Sequence, residues 1–253
     1  SISDADAGDN QVEITLTATN GTFTLTDVPI TNESQATTNI VNDQYEPSVA
    51  MDDAGNYVVV WVSDGQDGDQ GGIYAQRYDI DGVSVGSEFQ VHKRTAGVQT
   101  NPSVAMDSDG DFVVVWEGLS GGKNPSIDIF AQRFDSTGSK QGKEIKVNKI
   151  KKETQGDAVV AMDDNGGFAV SWEGPAGGKE GADTDIYVQV YGANGKKEFK
   201  KEIVVNTTTA LEQTGPSTAL EDNGHCVVTW HSVGQDDPGD RTTGGVAARR
   251  LAH

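Results

Sequence analysis

Asn101-Pro-Ser-Val-Ala-Met-Asp-Ser-Asp-Gly-Asp-Phe-Val-Val-Val-Trp116 is the stretch whose reading decides the fold. It runs a short apolar strand into an Asp/Gly turn and then into a second apolar strand ending in tryptophan. Asp, Asn and Gly supply the backbone angles a tight hairpin needs. The chain writes this unit four times, with the other copies starting at Pro47, Ala158 and Pro216, and its four tryptophans, Trp61, Trp116, Trp172 and Trp230, close one copy each.

Four landmarks fix the period. They are Glu33, Gln44, Pro47, Trp61; Glu88, Gln99, Pro102, Trp116; Glu144, Gln155, Ala158, Trp172; and Glu202, Gln213, Pro216, Trp230, always in steps of 11, 3 and 14. Only the interval from Trp to the next Glu changes, at 27, 28 and 30 residues, so the constant part is packed and the variable part is loop. In the second strand Tyr57, Val59 and Trp61 alternate with Val58 and Val60, apolar on both faces, which predicts a strand buried on both sides. A third strand recurs as Ile73–Tyr78, Ile129–Phe134 and Ile186–Tyr191, and a fourth as Glu88–Val91, Glu144–Val147 and Glu202–Val205. The predicted fold is all-β: a β-propeller of four repeats of about 55 residues, each a four-stranded blade. The lysines of the fourth strands, such as Lys140, Lys143 and Lys146, are expected to guard an outer edge.

The last copy ends after its third strand, whereas residues 33–36 stand in fourth-strand register ahead of the first copy. The N-terminal strand is therefore expected to complete the last blade, in its own chain or, by strand donation, in a second copy. Residues 1–29 leave the repeat and read as an acidic loop and a β-hairpin with an Asn-Gly turn, which divides the chain into 1–29 and a propeller at 30–253. That hairpin stretch, Val12–Leu25, resembles the opening of cadherin-like repeats in large bacterial adhesins. The four copies resemble the Ser-Val-Ala-Met-Asp-x-x-Gly-x-hydrophobic-Val-Val-Trp repeats of large secreted bacterial proteins. The resemblance implies an extracellular or cell-surface location.

With 39 acidic against 19 basic residues the formal charge is −20, a field that repels nucleic acid and anionic membrane. No apolar run reaches the roughly 20 residues that span a bilayer, so membrane insertion is not expected. A single cysteine, Cys226, excludes an internal disulfide and is expected as a buried core residue. The same acidity attracts cations. Asp107, Asp109 and Asp111 alternate around a glycine as an oxygen cage for calcium requires, and Asp64, Asp67 and Asp69 form a second acidic group in the loop after Trp61. Both are candidate metal sites, with calcium the expected ion. Arg77, Arg133 and Arg250 share one register and are expected as structural partners of Glu117, Glu173 or Asp79; His231 occupies the register of Glu117 and Glu173.

No nucleophile elbow, phosphate loop or metal-binding histidine spacing is present, so no catalytic residue is singled out. The reading this favours is a non-enzymatic extracellular structural or adhesion module, calcium-stabilised and self-assembling through its N-terminal strand. The alternative is a glycan-binding or glycan-degrading propeller that uses acidic loops at one end of the ring.

Overall fold

The computed structural model describes residues 14–18, 21–25, 34–121, 125–149, 154–178, 183–207, 211–233 and 243–252. The chain divides into two compact units, Ser1–Ala36 and Thr37–His253, seven residues beyond the boundary expected from the repeat. In the first unit β1 (Ile14–Ala18) and β2 (Gly21–Leu25) form an antiparallel hairpin with Ala18 opposite Gly21. The expected Asn-Gly turn falls in part on Asn20, outside the described residues.

The second unit is a four-bladed β-propeller of consecutive antiparallel sheets. Blade 1 holds β3 (Gln44–Met51), β4 (Tyr57–Asp64), β5 (Gly71–Tyr78) and β6 (Ser84–Gln90). Blade 2 holds β7 (Gln99–Met106), β8 (Phe112–Leu119), β9 (Ile127–Phe134) and β10 (Lys140–Lys146). Blade 3 holds β11 (Gly156–Met162), β12 (Phe168–Pro175), β13 (Thr184–Tyr191) and the two-residue β14 (Ile203–Val204). Blade 4 holds β15 (Gln213–Leu220), β16 (Cys226–Val233) and β17 (Gly244–Leu251). Among the described residues no fourth strand lies beside β17. Residues 34–36 are not in a strand, and Glu33, where the completing strand was expected to begin, lies outside the described residues.

The blades pack face to face through three apolar clusters. Each sets the β-branched face of one blade against the aromatic face of the next. Between blades 1 and 2, Val58, Val60, Val62, Ile73 and Ala75 meet Phe112, Val114, Trp116 and Phe134. Between blades 2 and 3, Val113, Val115, Ile129 and Ala131 meet Phe168, Val170, Trp172 and Tyr191. Between blades 3 and 4 the aromatic share thins, and Ala169, Ile186, Val188 and Val190 meet Cys226, Val228 and Trp230. Cys226 is buried there, and burial pushes its thiol up to about 11, so it stays an inert core thiol at neutral pH.

In blades 3 and 4 the fixed step between Gln and Trp is held by a hydrogen bond. The Trp172 Nε1–H donates to Gln155 Oε1 at 3.1 Å, and the Trp230 Nε1–H to Gln213 Oε1 at 2.9 Å. A buried indole N–H needs an acceptor, and in these two blades the innermost strand supplies it from 17 residues earlier. Blades 1 and 2 keep the spacing without that bond, since among the described residues Trp61 Nε1 and Gln99 Oε1 are buried without a partner.

The lysines do more than guard edges. Lys146 reaches buried Asp128 at 2.6 Å, and Lys197 crosses from blade 3 to the Val147 carbonyl of blade 2 at 2.7 Å. The arginine register also joins blades, though not through the carboxylates expected. Arg77 donates to the Ser136 carbonyl in a turn of blade 2, and Arg133 packs on Gly195 in a turn of blade 3. A Cβ at Gly195 would lie 2.6 Å from the Arg133 guanidinium. Arg250 pairs with Glu221 of its own blade at 3.0 Å.

Candidate carboxylate site at the inner strand ends

Each innermost strand carries a bulge near its first residues, where the pairing register shifts: Tyr45/Ser48, Thr100/Ser103, Gly156/Val159 and Thr214/Ser217. The bulged residues are Glu46, Asn101, Asp157 and Gly215, all left-handed with φ of 54°, 54°, 49° and 62°. Only the fourth is a glycine; a side chain in this conformation costs on the order of 1–2 kcal/mol and persists where other contacts hold it.

What holds it is a carboxylate from the preceding blade. The Asn101 N–H donates to Glu46 Oε2 at 2.7 Å, the Asp157 N–H to Glu117 Oε1 at 2.8 Å, and the Gly215 N–H to Glu173 Oε1 at 2.6 Å. The Asn101 side-chain amide then bridges the group, donating to Glu117 Oε1 at 2.7 Å and to Asp157 Oδ1 at 3.2 Å. Glu117 and Glu173 each follow a core tryptophan, so the packed indoles place them at corresponding points on β8 and β12.

Glu117, Asp157 and Glu173 thus face one another across the junction of blades 2 and 3. Burial raises the Glu117 carboxyl above its ordinary value, against the hydrogen bonds from Asn101 and Asp157. Glu173 is pushed up to about 7, first by burial, then by the charges of Asp157 and Glu117 and by a hydrogen bond shared with Asp157. Near neutral pH this carboxyl is therefore divided between its protonated and ionised forms. Glu173 was visible in the sequence only as an arginine partner, and Asn101 and Asp157 gave no signal of their own. Their common place two residues after the landmark glutamine was the available clue.

The acidic groups expected to hold metal are arranged differently. Asp107 is buried, and its Oδ1 accepts the N–H groups of Asp109 at 3.1 Å and Asp111 at 2.9 Å, a self-contained turn. Burial raises its carboxyl despite those two bonds. Asp111 Oδ1 accepts the Ser136 N–H at 2.9 Å, and Asp109 is exposed. All three line a polar pocket of about 280 Å³ between blades 2 and 3, with Arg133, Asp164 and Asn165.

In the loop after Trp61 the acids are dispersed. Asp64 is exposed, Asp69 Oδ2 accepts the Gly97 N–H at 2.9 Å, and Asp67 Oδ2 lies 2.9 Å from His92 Nε2. Among the described residues no three His, Cys, Asp or Glu side chains converge as a metal set.

Asp67 instead completes a lock that the other blades build another way. In blades 2 and 3, Asn148 and Asn206 accept the N–H of Ile129 and Ile186, and are oriented by buried Asp128 and Asp185 at 2.8 and 2.7 Å. In blade 1, His92 Nδ1 accepts the Ile73 N–H at 3.1 Å, and its Nε2 lies 2.9 Å from Asp67 Oδ2 and 2.8 Å from Gln90 Nε2. The aspartate position becomes Gly72, where a Cβ would lie 2.8 Å from the imidazole. The pair of Asp67 and His92 is a structural substitute for Asp128 and Asn148.

His231, expected at the same end as Glu117 and Glu173, is exposed on β16, with Thr214 Oγ1 3.4 Å from its Nδ1.

No protein-family model matches this chain, and no curated protein does. Solved structures do. A Dyadobacter fermentans protein of unknown function is similar at 12% identity and a TM-score of 0.53, over 82% of this chain and 65% of that one. The Hadza microbial sialidase Hz136 is similar at 13% identity and a TM-score of 0.51, over 82% and 44%. The Penicillium chrysogenum alpha-L-arabinanase complexed with arabinobiose is similar at 14% identity and a TM-score of 0.50, over 81% and 57%. The chain spans less than two thirds of each of these proteins, and at such identities the likeness is one of fold: these are propeller-type structures, and so is this.

Proposed function

We propose that the chain is a glycan-acting propeller, with Glu117, Asp157 and Glu173 as its working carboxylates. The observation that carries this reading is the gathering of Glu117, Asp157 and Glu173 at one junction, where burial and its acidic neighbours raise the Glu173 carboxyl. Hydrolysis of a glycosidic bond asks one carboxyl to deliver a proton while another acts as base or nucleophile. An acid whose pKa lies near the working pH suits the first role, and such side chains gather at functional sites. Glu173 is the proposed acid. Glu117, its raised carboxyl held by the Asn101 amide and the Asp157 N–H, is the proposed partner. The fold is shared with an arabinanase and a sialidase, which is compatible with a glycan partner and does not choose among glycans. The test is a panel of neutral and acidic polysaccharides scored for reducing ends. Cleavage that disappears in Glu173→Gln supports the reading; a silent panel contradicts it.

A second reading is a non-enzymatic extracellular structural module, and one observation favours it. The same carboxylate-to-bulge hydrogen bond recurs at all three junctions, as a purely architectural device would. Calcium on the Asp107, Asp109 and Asp111 turn belongs to this reading as a stabiliser. It predicts that Glu173→Gln changes stability alone, and that millimolar calcium raises the Tm of the wild type but not of Asp109→Asn.

A further inference from the structure

Blade 1 and blade 4 each keep one face that no blade of this chain covers in the way the three internal junctions are covered. On blade 1 it is the part of the aromatic face carried by β3 and the start of β4; Trp61, Tyr74 and Tyr78 of the same face are buried. Val49 is 61% and Met51 60% exposed, whereas Val104, in the same register of blade 2, is 7% exposed. Tyr57 and Val59 are half-buried where Phe112 and Val114 are fully buried. On blade 4 it is the β-branched face. Val246 is 85% exposed where Ile73, Ile129 and Ile186 are fully buried, and Ala248 is exposed where Ala75 and Ala131 are buried. Among the described residues, the three apolar clusters lie between successive blades and none joins blade 4 to blade 1.

These two faces are the two halves of one junction. What each lacks is the kind of face the other presents, as the repeat shows three times over. A second observation marks the place beside blade 1 as prepared for a blade. The Lys93 N–H donates to Glu144 Oε2 at 3.0 Å and the Lys149 N–H to Glu202 Oε2 at 2.9 Å, so the stretch after each fourth strand rests on the next blade. The Thr38 N–H donates to Glu88 Oε2 at 2.9 Å in the same register. Thr38 thus lies on blade 1 as the segment following a preceding blade's fourth strand would. Among the described residues, blade 4 is the blade without a fourth strand of its own.

We infer that the occupant of the blade 1 face is blade 4 of a second copy of this chain, docked head to tail. Such a contact is heterologous, leaving one free face at each end of the pair for further growth or closure. It buries Val49 and Met51 against Val246 and Ala248. The charge of −20 on each copy opposes the encounter, so added salt strengthens it.

Sedimentation of the full chain and two variants, Val49→Asp and Val246→Asp, decides this. Both positions are exposed in the single copy, so neither variant should unfold, and near-ultraviolet circular dichroism checks that. The wild type is expected above 26.7 kDa, rising with protein and salt concentration, and each variant at 26.7 kDa. An equimolar mixture of the variants should form a species of twice that mass and stop, since it retains one working junction. A wild type that stays at 26.7 kDa at every concentration overturns the inference. So does a mass unchanged in the variants while both lose Tm, the outcome of closure within one chain.

Discussion

Two groups of acids at opposite ends of the same blades show how little a count of carboxylates says. At the turn, Asp107 and Asp111 spend their oxygens on backbone N–H groups of blade 2 itself, and Asp109 points outward. At the inner strand ends, Glu117, Asp157 and Glu173 come from two blades and face one another. In the sequence the turn looked the richer site, because its acids are neighbours along the chain. Yet neighbours along a hairpin turn are drawn into making the turn. Acids brought together by packing accept N–H groups from the next blade and still perturb one another's protonation.

Truncating what carries the cluster gives the largest expected effect. Trp172→Ala empties a fully buried site and strands Gln155, and should cost about 3–5 kcal/mol in chemical denaturation, displacing Glu173 with it. Removal of either turn acid should come nowhere near that.

Next in size is catalysis. Glu173→Gln keeps an oxygen for the Gly215 N–H but cannot deliver a proton, so glycan cleavage should fall roughly 10²–10⁴-fold with little change in fold. Asp109→Asn should leave the rate unchanged. If the two variants behave alike, the distinction between the two groups collapses.

pH sharpens the same contrast. The folded protein holds the Glu173 proton more tightly than the unfolded chain does, since the carboxyl rises from 4.5 to about 7. Its contribution to stability is therefore present below about 4.5 and lost as pH climbs through 7. Wild-type Tm should decline across that window, and Glu173→Gln should flatten the decline. Activity that depends on the protonated acid should fall over the same upper limb.

The smallest effect belongs to the turn. Asp107→Ala removes two hydrogen bonds within one hairpin and should cost about 1 kcal/mol, read as a modest loss of Tm.

How much of this was legible follows from where each constraint lives. The blades were readable because Gln and Trp recur at one spacing on adjacent strands, a spacing that the indole-to-glutamine bond holds in blades 3 and 4. The carboxylate site was not, because it depends on backbone bulges. Asn101 and Asp157 are ordinary polar residues in the sequence, and nothing in their identity announces a left-handed φ; only Gly215, in the same register, does. The exchange of Asp128 and Asn148 for Gly72, Asp67 and His92 was likewise hidden. It requires seeing that a loop aspartate replaces a strand aspartate in space. Arg77 and Arg133 were misassigned to carboxylates because register names a face but not which turn of the next blade lies opposite.

The measurement that bears most directly on the central claim is the pH dependence of cleavage across the polysaccharide panel, wild type beside Glu173→Gln. The account predicts a substrate whose cleavage by the wild type declines as pH passes through about 7, and a variant that folds normally yet lacks that activity. A variant as active as the wild type, with the same profile, would contradict it, as would a folded wild type that cleaves nothing in the panel at any pH.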